Sequence, residues 1–139
     1  MPNEIIAKKL DQIEELLREL AGLLARPFDA FRKDTIAIRA SERDFQLIVD
    51  LASDINTQIL VERGKKTPDT YRQSFTDLER EDVLDGDLAR KLTQSAMIRN
   101  ILVHEYDFEE DYEKFYGSAK ALIPTYREYI KTIAVFIRK

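Results

Sequence analysis

The sequence contains no cysteine and a single histidine, His104, among its 139 residues. Without cysteine the chain cannot form disulfides, thiolate zinc sites or iron–sulfur clusters, and it has no thiol nucleophile. With one histidine, one chain cannot build a multi-histidine metal site or a two-histidine acid/base pair. A second chain would have to supply the partner of His104 in either case.

Long apolar runs and a secretory-type start are also missing. No stretch approaches the roughly 20 apolar residues that a membrane-spanning helix needs, and residues 1–11 lack the apolar region of a secretory signal. We therefore expect a cytoplasmic protein with no membrane association. Lys and Arg number 22 against 26 Asp and Glu, a formal charge of −4. Any contact with nucleic acid would therefore need a local basic patch.

Glycine and proline occur only four times each, which predicts long elements with few turns. Apolar residues make up 44% of the chain and charged residues 35%, as in a folded protein rather than a disordered one. The length suits one domain, which we expect to span residues 1–139.

Between the glycines and prolines, apolar residues recur with helical spacing. The first helix has Asn3 as a possible N-cap and ends before Pro27, and the last has a kink at Pro124. No segment alternates with period two, so the sequence predicts an all-α bundle of four main helices with short accessory turns. The predicted long helices are about residues 3–26, 35–63, 85–106 and 109–139, with short helical turns near 28–33 and 71–78. On the second long helix, Arg39, Arg43, Asp50 and Asp54 lie largely off the apolar stripe.

The segment from Arg99 to Tyr106 is unusual because it places an arginine on an apolar helical stripe. At about 100° per residue, Arg99 falls on the same face as Leu92 and Leu102, and Tyr106 nearly eclipses it. Asn100 and His104 lie one turn apart. A charge on such a stripe must be paired, face an interface or line a cleft. The simplest alternative is an acidic partner for Arg99 across the bundle, with His104 at the surface.

These residue types suffice for cleaving RNA without a metal, by attack of the RNA's own 2′-hydroxyl. A histidine exchanges a proton near neutral pH, an arginine binds a phosphate and stabilises its transition state, and an asparagine orients either group. One histidine supplies half of an acid/base pair. A twofold dimer would bring the second histidine to the same axis.

The segment RNILVHEY resembles the signature of HEPN domains, and within them the HepT-like toxin branch. In that branch an arginine and a polar residue are followed, after three residues, by histidine, any residue and tyrosine. Similarity to the same family extends to residues 39–60, 67–92 and 107–116 and to the last helix with Pro124. The resemblance covers nearly the whole chain.

The resemblance implies an all-α, HEPN-type bundle of four to five helices with a kinked C-terminal helix. It implies a homodimer in which the two motifs face one another across a cleft. It also implies a metal-independent ribonuclease that acts on RNA as the toxin of a type VII (HEPN/MNT) toxin–antitoxin system. Arg99 and His104 would be the nuclease residues, and Asn100 the polar residue that orients them.

The resemblance further implies a partner, a MntA-like minimal nucleotidyltransferase that serves as antitoxin. It would transfer AMP from ATP to Tyr106. The toxin itself would need no cofactor and no metal.

Several alternatives remain open from the sequence. The chain can be a non-catalytic HEPN subunit that assists a nucleotidyltransferase, or a helical interaction protein. The acidic residues within 105–111 can bind a divalent metal, although such a run is more often a solvated helix start. The loop cations Arg63, Lys65 and Lys66 can contact RNA, although a solvated loop is the commoner case.

Overall fold

The computed structural model describes residues 2–104 and 112–138, which form six α-helices. Within these ranges there is no strand, and the all-α prediction is confirmed. Four helices are long and two are short, as the spacing of the apolar residues predicts. In chain order the helices are α1 (Pro2–Leu23), α2 (Phe28–Phe31), α3 (Thr35–Glu62), α4 (Tyr71–Arg80), α5 (Gly86–His104) and α6 (Tyr112–Ile137).

The long helices pack through their predicted apolar stripes. Helix α3 contacts α1, α4 and α5, while α6 packs against α1 and α5. The stripe of α3 is fully buried and consists of Ile38, Phe45, Ile48, Ala52, Ile55 and Ile59. None of the described helices is both long and apolar enough to cross a membrane.

Both ends of α3 are fixed by local hydrogen bonds. At its start the Asp34 carboxylate accepts a hydrogen bond of 3.0 Å from the Ala37 amide and pairs with Arg26 at 2.9 Å. At its end Gly64 adopts a φ of 73°, and the Lys65 amide donates to the Leu60 carbonyl at 2.9 Å. This is the geometry of a Schellman C-cap, which satisfies carbonyls that the last turn leaves free.

A buried polar network joins α3, α4 and α6. The side-chain amide of Asn56 donates to Ser74 Oγ at 3.0 Å, and the Tyr129 hydroxyl donates to Asn56 Oδ1 at 2.6 Å. Ser74 Oγ in turn donates to the Tyr71 carbonyl at 2.7 Å. Because buried polar groups cost free energy when unpaired, this network fixes where α4 begins beside α3.

Two helix ends differ from the prediction. Asn3 lies inside α1 and is not its N-cap; instead its side-chain amide donates to the Ile137 carbonyl at 2.9 Å. That contact satisfies a carbonyl at the end of α6. Helix α1 ends at Leu23, three residues before Arg26. Helix α6 continues on both sides of Pro124, as the pattern predicts, and its predicted start at residue 109 lies outside the described residues.

Candidate functional site around Arg99

Two hydrogen bonds fix the position of helix α5 in the bundle. Its start is capped by Asp85, whose carboxylate accepts a hydrogen bond of 2.8 Å from the Leu88 amide. One turn before Arg99, the buried Ser95 hydroxyl lies 2.8 Å from the Tyr126 hydroxyl of α6. These contacts determine which way Arg99 faces along the bundle.

Arg99 is held by three side chains from three helices. Its Nε donates to Asp50 Oδ1 of α3 at 3.1 Å, and its Nη2 donates to the Tyr71 hydroxyl of α4 at 3.4 Å. Its Nη1 donates to Oδ1 of the adjacent Asn100 at 3.3 Å. The guanidinium carbon also lies 4.4 Å from the centre of the Tyr71 ring, within cation–π range. We call these four residues the Arg99 cluster.

The guanidinium is mostly buried but keeps spare donors. The Arg99 side chain is 19% exposed and that of Asp50 is 32% exposed. Arginine carries five N–H donors in a planar fork. Three of them have the partners described above, and two have no partner among the described residues. A planar pair of charged donors is suited to two oxygens of a phosphate.

The tyrosine of the cluster is held in its neutral form. Burial and the nearby Asp50 carboxylate raise the pKa of Tyr71, and the Arg99 guanidinium opposes this rise without cancelling it. At neutral pH the ring therefore offers Arg99 a neutral face and a neutral hydroxyl.

Of the four predicted site residues, Arg99 and Asn100 are in direct contact. Asn100 is exposed, and its side-chain oxygen accepts the hydrogen bond from Arg99. His104 lies in α5 one turn after Asn100, while the placement of its side chain is outside the described part of the chain. Tyr106 also lies outside the described residues.

Asp50 and Tyr71 belong to the Arg99 cluster although the sequence did not indicate them as members of the site. The sequence left open whether Arg99 is paired, faces an interface or lines a cleft, and the structure shows an acidic partner across the bundle. The identity of that partner was not predictable, because Asp50 is 49 residues away in a chain with 26 acidic residues. Asp50 also lies largely off the apolar stripe of α3, so the sequence did not mark it as the partner of a residue on the stripe of α5.

The candidate site differs from the cavity between α5 and α6. That cavity has a volume of about 460 Å³ and is lined in part by Ile98, Leu122 and Pro124, but not by any member of the Arg99 cluster. Arg99 and Asp50 are partly exposed outside that cavity, which suits a phosphate on a large substrate better than an enclosed small molecule.

Two other features considered from the sequence are an acidic metal site and the loop cations after α3. In the described ranges no group of three or more His, Asp or Glu side chains can hold a metal ion. The acidic run at 105–111 lies outside those ranges. Arg63 and Lys65 pair with Glu81 at 3.3 and 3.5 Å, so two of the three loop cations join α3 to the end of α4.

Comparison with solved structures finds the same fold in proteins described as HEPN toxins. A solved structure described as tri-AMPylated Shewanella oneidensis HEPN toxin in complex with MNT antitoxin superposes with a TM-score of 0.86 at 21% identity, covering 94% of this chain and 97% of that one. A toxin–antitoxin structure described as MntA–HpeT gives a TM-score of 0.84 at 20% identity, covering 95% and 98%. These similarities show the fold.

The sequence comparisons define the family more closely. The family described as Ribonuclease HepT-like matches residues 6–133. The tRNA nuclease HepT of Aphanizomenon flos-aquae (strain 2012/KM1/D3) is 33% identical over 133 residues, which cover 96% of this chain and 90% of that protein. The chain belongs to the HepT-like family.

Proposed function

We propose that this protein is a metal-independent endoribonuclease and the toxin of a type VII (HEPN/MNT) toxin–antitoxin system. The observation that carries the proposal is the placement of Arg99. The Arg99 guanidinium is mostly buried and donates hydrogen bonds to Asp50 and Tyr71. Two of its donors have no partner in the described ranges. Asn100 and His104 follow Arg99 on the same helix. The family and the named nuclease relative support the same activity.

In this proposal the cleavage is an internal transesterification of RNA. The 2′-hydroxyl loses its proton and attacks the adjacent phosphorus, the bond to the 5′-oxygen breaks, and that oxygen takes up a proton. Arg99 stabilises the charge that develops on the phosphoryl oxygens. His104 exchanges the protons, and Asn100 orients the reacting groups.

The complete site is a composite of two chains. Each chain has one histidine, and the reaction needs a proton acceptor and a proton donor at the same time. A homodimer with twofold symmetry brings both copies of the motif to one cleft. Residues 1–139 would then act as one HEPN domain in each half of the dimer.

The substrate in this proposal is RNA in the cytoplasm, and the first RNA to test is tRNA, because the 33% identical relative is named a tRNA nuclease. A chain with a net charge of −4 would bind RNA locally, at the cleft between the two motifs.

The activity is tested with purified chain and bulk tRNA. Arg99→Ala and His104→Ala should each lower cleavage by about 100-fold or more, since each removes a group that acts in the transition state. The matched control is Arg90→Ala, which removes an exposed arginine of the same helix that pairs with Asp87. It should cleave tRNA like the unmodified chain.

A different result would favour the alternative function. If the unmodified chain cuts no RNA but increases nucleotidyl transfer by its partner enzyme, the protein is a non-catalytic HEPN subunit. If Arg99→Ala and His104→Ala both cut tRNA as fast as the chain without substitutions, Arg99 and His104 have no catalytic role.

We further propose that a MntA-like nucleotidyltransferase neutralises the toxin by transferring AMP from ATP to Tyr106. The Tyr106 oxygen would attack the α-phosphorus of ATP, releasing pyrophosphate and its own proton. The AMPylated HEPN toxin among the structural neighbours supports this modification. The added phosphodiester would compete with RNA for Arg99, and the nucleoside would block the cleft.

Mass spectrometry after incubation with the partner and ATP tests this step. The intact mass should rise by one or more AMP units on the peptide that holds Tyr106. Tyr106→Phe should stay toxic and resist neutralisation. As a control, Tyr116→Phe should still be modified and neutralised. Full neutralisation without a change in mass would mean that the partner acts by binding alone.

A further inference from the structure

We propose that Asp50 is a positioning residue for Arg99, and that Tyr71 is the surface on which the guanidinium rests. This inference rests on the proposed ribonuclease function and adds two residues to its site. Neither residue lies in the segment from Arg99 to Tyr106; one comes from α3 and the other from α4.

The hydrogen bond from Nε fixes the orientation of the whole guanidinium. A free arginine side chain loses rotamer entropy when a substrate orders it. Asp50 accepts from Nε at 3.1 Å, and the Tyr71 ring lies against the planar face at 4.4 Å. Together these contacts fix the last torsions of the side chain and the plane of the fork before any substrate binds. The two Nη donors that have no partner among the described residues are then held in place with the rest of the guanidinium.

The two supporting residues are themselves held by the core. Asp50 lies on α3 between buried turns, next to Val49. Tyr71 is the first residue of α4, and its carbonyl accepts from Ser74, which belongs to the buried network with Asn56. A rigid support of this kind is what precise placement of a catalytic group requires.

The negative charge of Asp50 has a second consequence. A carboxylate at 3.1 Å from Nε partly offsets the field that Arg99 presents to a phosphate. Asp50 therefore aligns Arg99 and at the same time weakens its attraction for RNA. The two effects separate in kinetics, because alignment acts on kcat while charge acts mainly on KM.

The experiment compares Asp50→Asn and Asp50→Ala in cleavage of bulk tRNA. Asparagine keeps an acceptor for Nε and loses the charge, so kcat should stay within about threefold and KM should fall. Alanine removes the acceptor, so kcat should fall about tenfold or more. Asp54→Asn is the matched control, because Asp54 lies one turn further along α3 and pairs with Lys9 instead. Its kinetics should not change.

A readout independent of cleavage follows the Arg99 Nε–H group by NMR. Its proton should exchange slowly with water in the unmodified chain and in Asp50→Asn, and rapidly in Asp50→Ala. The Arg99→Ala spectrum identifies the signal. Tyr71→Phe keeps the ring and should preserve the signal, whereas Tyr71→Leu should weaken it.

The outcomes distinguish this inference from the proposed function. If Asp50→Ala keeps both the slow exchange and the full kcat, Asp50 does not position Arg99, whatever the chain cuts. An equal loss of kcat in Asp50→Asn and Asp50→Ala, at unchanged melting temperatures, would also overturn it. If Arg99→Ala cleaves normally while the exchange results hold, the positioning is correct and the ribonuclease function is wrong.

Discussion

Asp44 is a buried acid that makes the stability of the fold depend on pH. It lies on α3, is only 4% exposed and faces the carboxyl group of Glu19. Its Oδ2 has no hydrogen-bond partner among the described residues. Burial first, and then the Glu19 carboxyl, raise the pKa of Asp44 from 3.8 to about 7. Between about pH 4 and pH 7 the folded protein therefore holds a proton on Asp44 that the unfolded chain has released.

The sign of the pH dependence follows from that proton. Because the folded-state pKa is the higher one, the free energy of unfolding falls as the pH rises from about 4 to about 7, and this contribution is level above that window. Asp44→Asn removes the titration. It should raise the free energy of unfolding by about 1–3 kcal/mol at pH 8 and change it little at pH 4.

Urea unfolding at several pH values measures this effect. Asp29→Asn is the control, since Asp29 is exposed and pairs only with Arg32 in the described structure; its pH profile should follow that of the unmodified chain. The contrary result is that Asp44→Asn raises the free energy of unfolding by no more at pH 8 than at pH 4. Asp44 would then not be protonated in the folded protein.

At the same scale, the sequence left three possibilities for Arg99, namely a paired charge, an interface or a cleft, and the structure shows a partner, Asp50. Those possibilities came from the cost of a charge on an apolar stripe. The choice of Asp50 depends on the angle at which α3 and α5 cross, and that angle is set by packing of side chains far apart in sequence. Tyr71 begins the short helix that was predicted near residues 71–78, and the spacing carried no signal that its ring contacts a guanidinium.

At the scale of elements, the C-terminal end of α3 depends on one glycine. Gly64 has a φ of 73°, which side chains with a Cβ rarely adopt, although there is open space around its Cα. Gly64→Ala should therefore lower the free energy of unfolding by about 1 kcal/mol through backbone strain alone. Gly117 is the matched control because it lies inside α6, also with open space around it. Gly117→Ala should raise the free energy of unfolding by about 0.5–1 kcal/mol.

Thermal or urea unfolding of the two variants tests this prediction, because the changes in the free energy of unfolding should have opposite signs. Equal stabilisation by both substitutions would show that Gly64 does not need its left-handed conformation.

The end of α3 was predictable because glycine marks such caps. The start of α1 was less so: Asn3 has the chemistry of an N-cap, but the structure uses it to bind the end of α6.

For the whole molecule, the all-α fold was predictable from the helical spacing of apolar residues and the absence of strand-like alternation. Which helices pack against each other was not, because an apolar stripe such as that of α1 fits any partner of similar length. The choice is made by specific contacts, among them the hydrogen bonds of Asn56 with Ser74 and Tyr129.

The proposed composite site requires that two chains associate. Light scattering of the purified protein at micromolar concentration should give twice the chain mass of 16.2 kDa. The same mass should be found for Arg99→Ala, which affects the site and not the fold. A monomer that cleaves RNA would contradict a site built from two histidines.

The central claim is that RNA is cut by attack of its own 2′-hydroxyl without a metal ion, and the chemistry of the product ends tests it most directly. Bulk tRNA is incubated with the purified chain in excess EDTA, and the ends are identified by mass spectrometry. The account predicts 2′,3′-cyclic phosphate and 5′-hydroxyl ends, formed at the same rate with and without EDTA and absent with His104→Ala. Cleavage that stops in EDTA and returns with magnesium, or that leaves 3′-hydroxyl and 5′-phosphate ends, would contradict it.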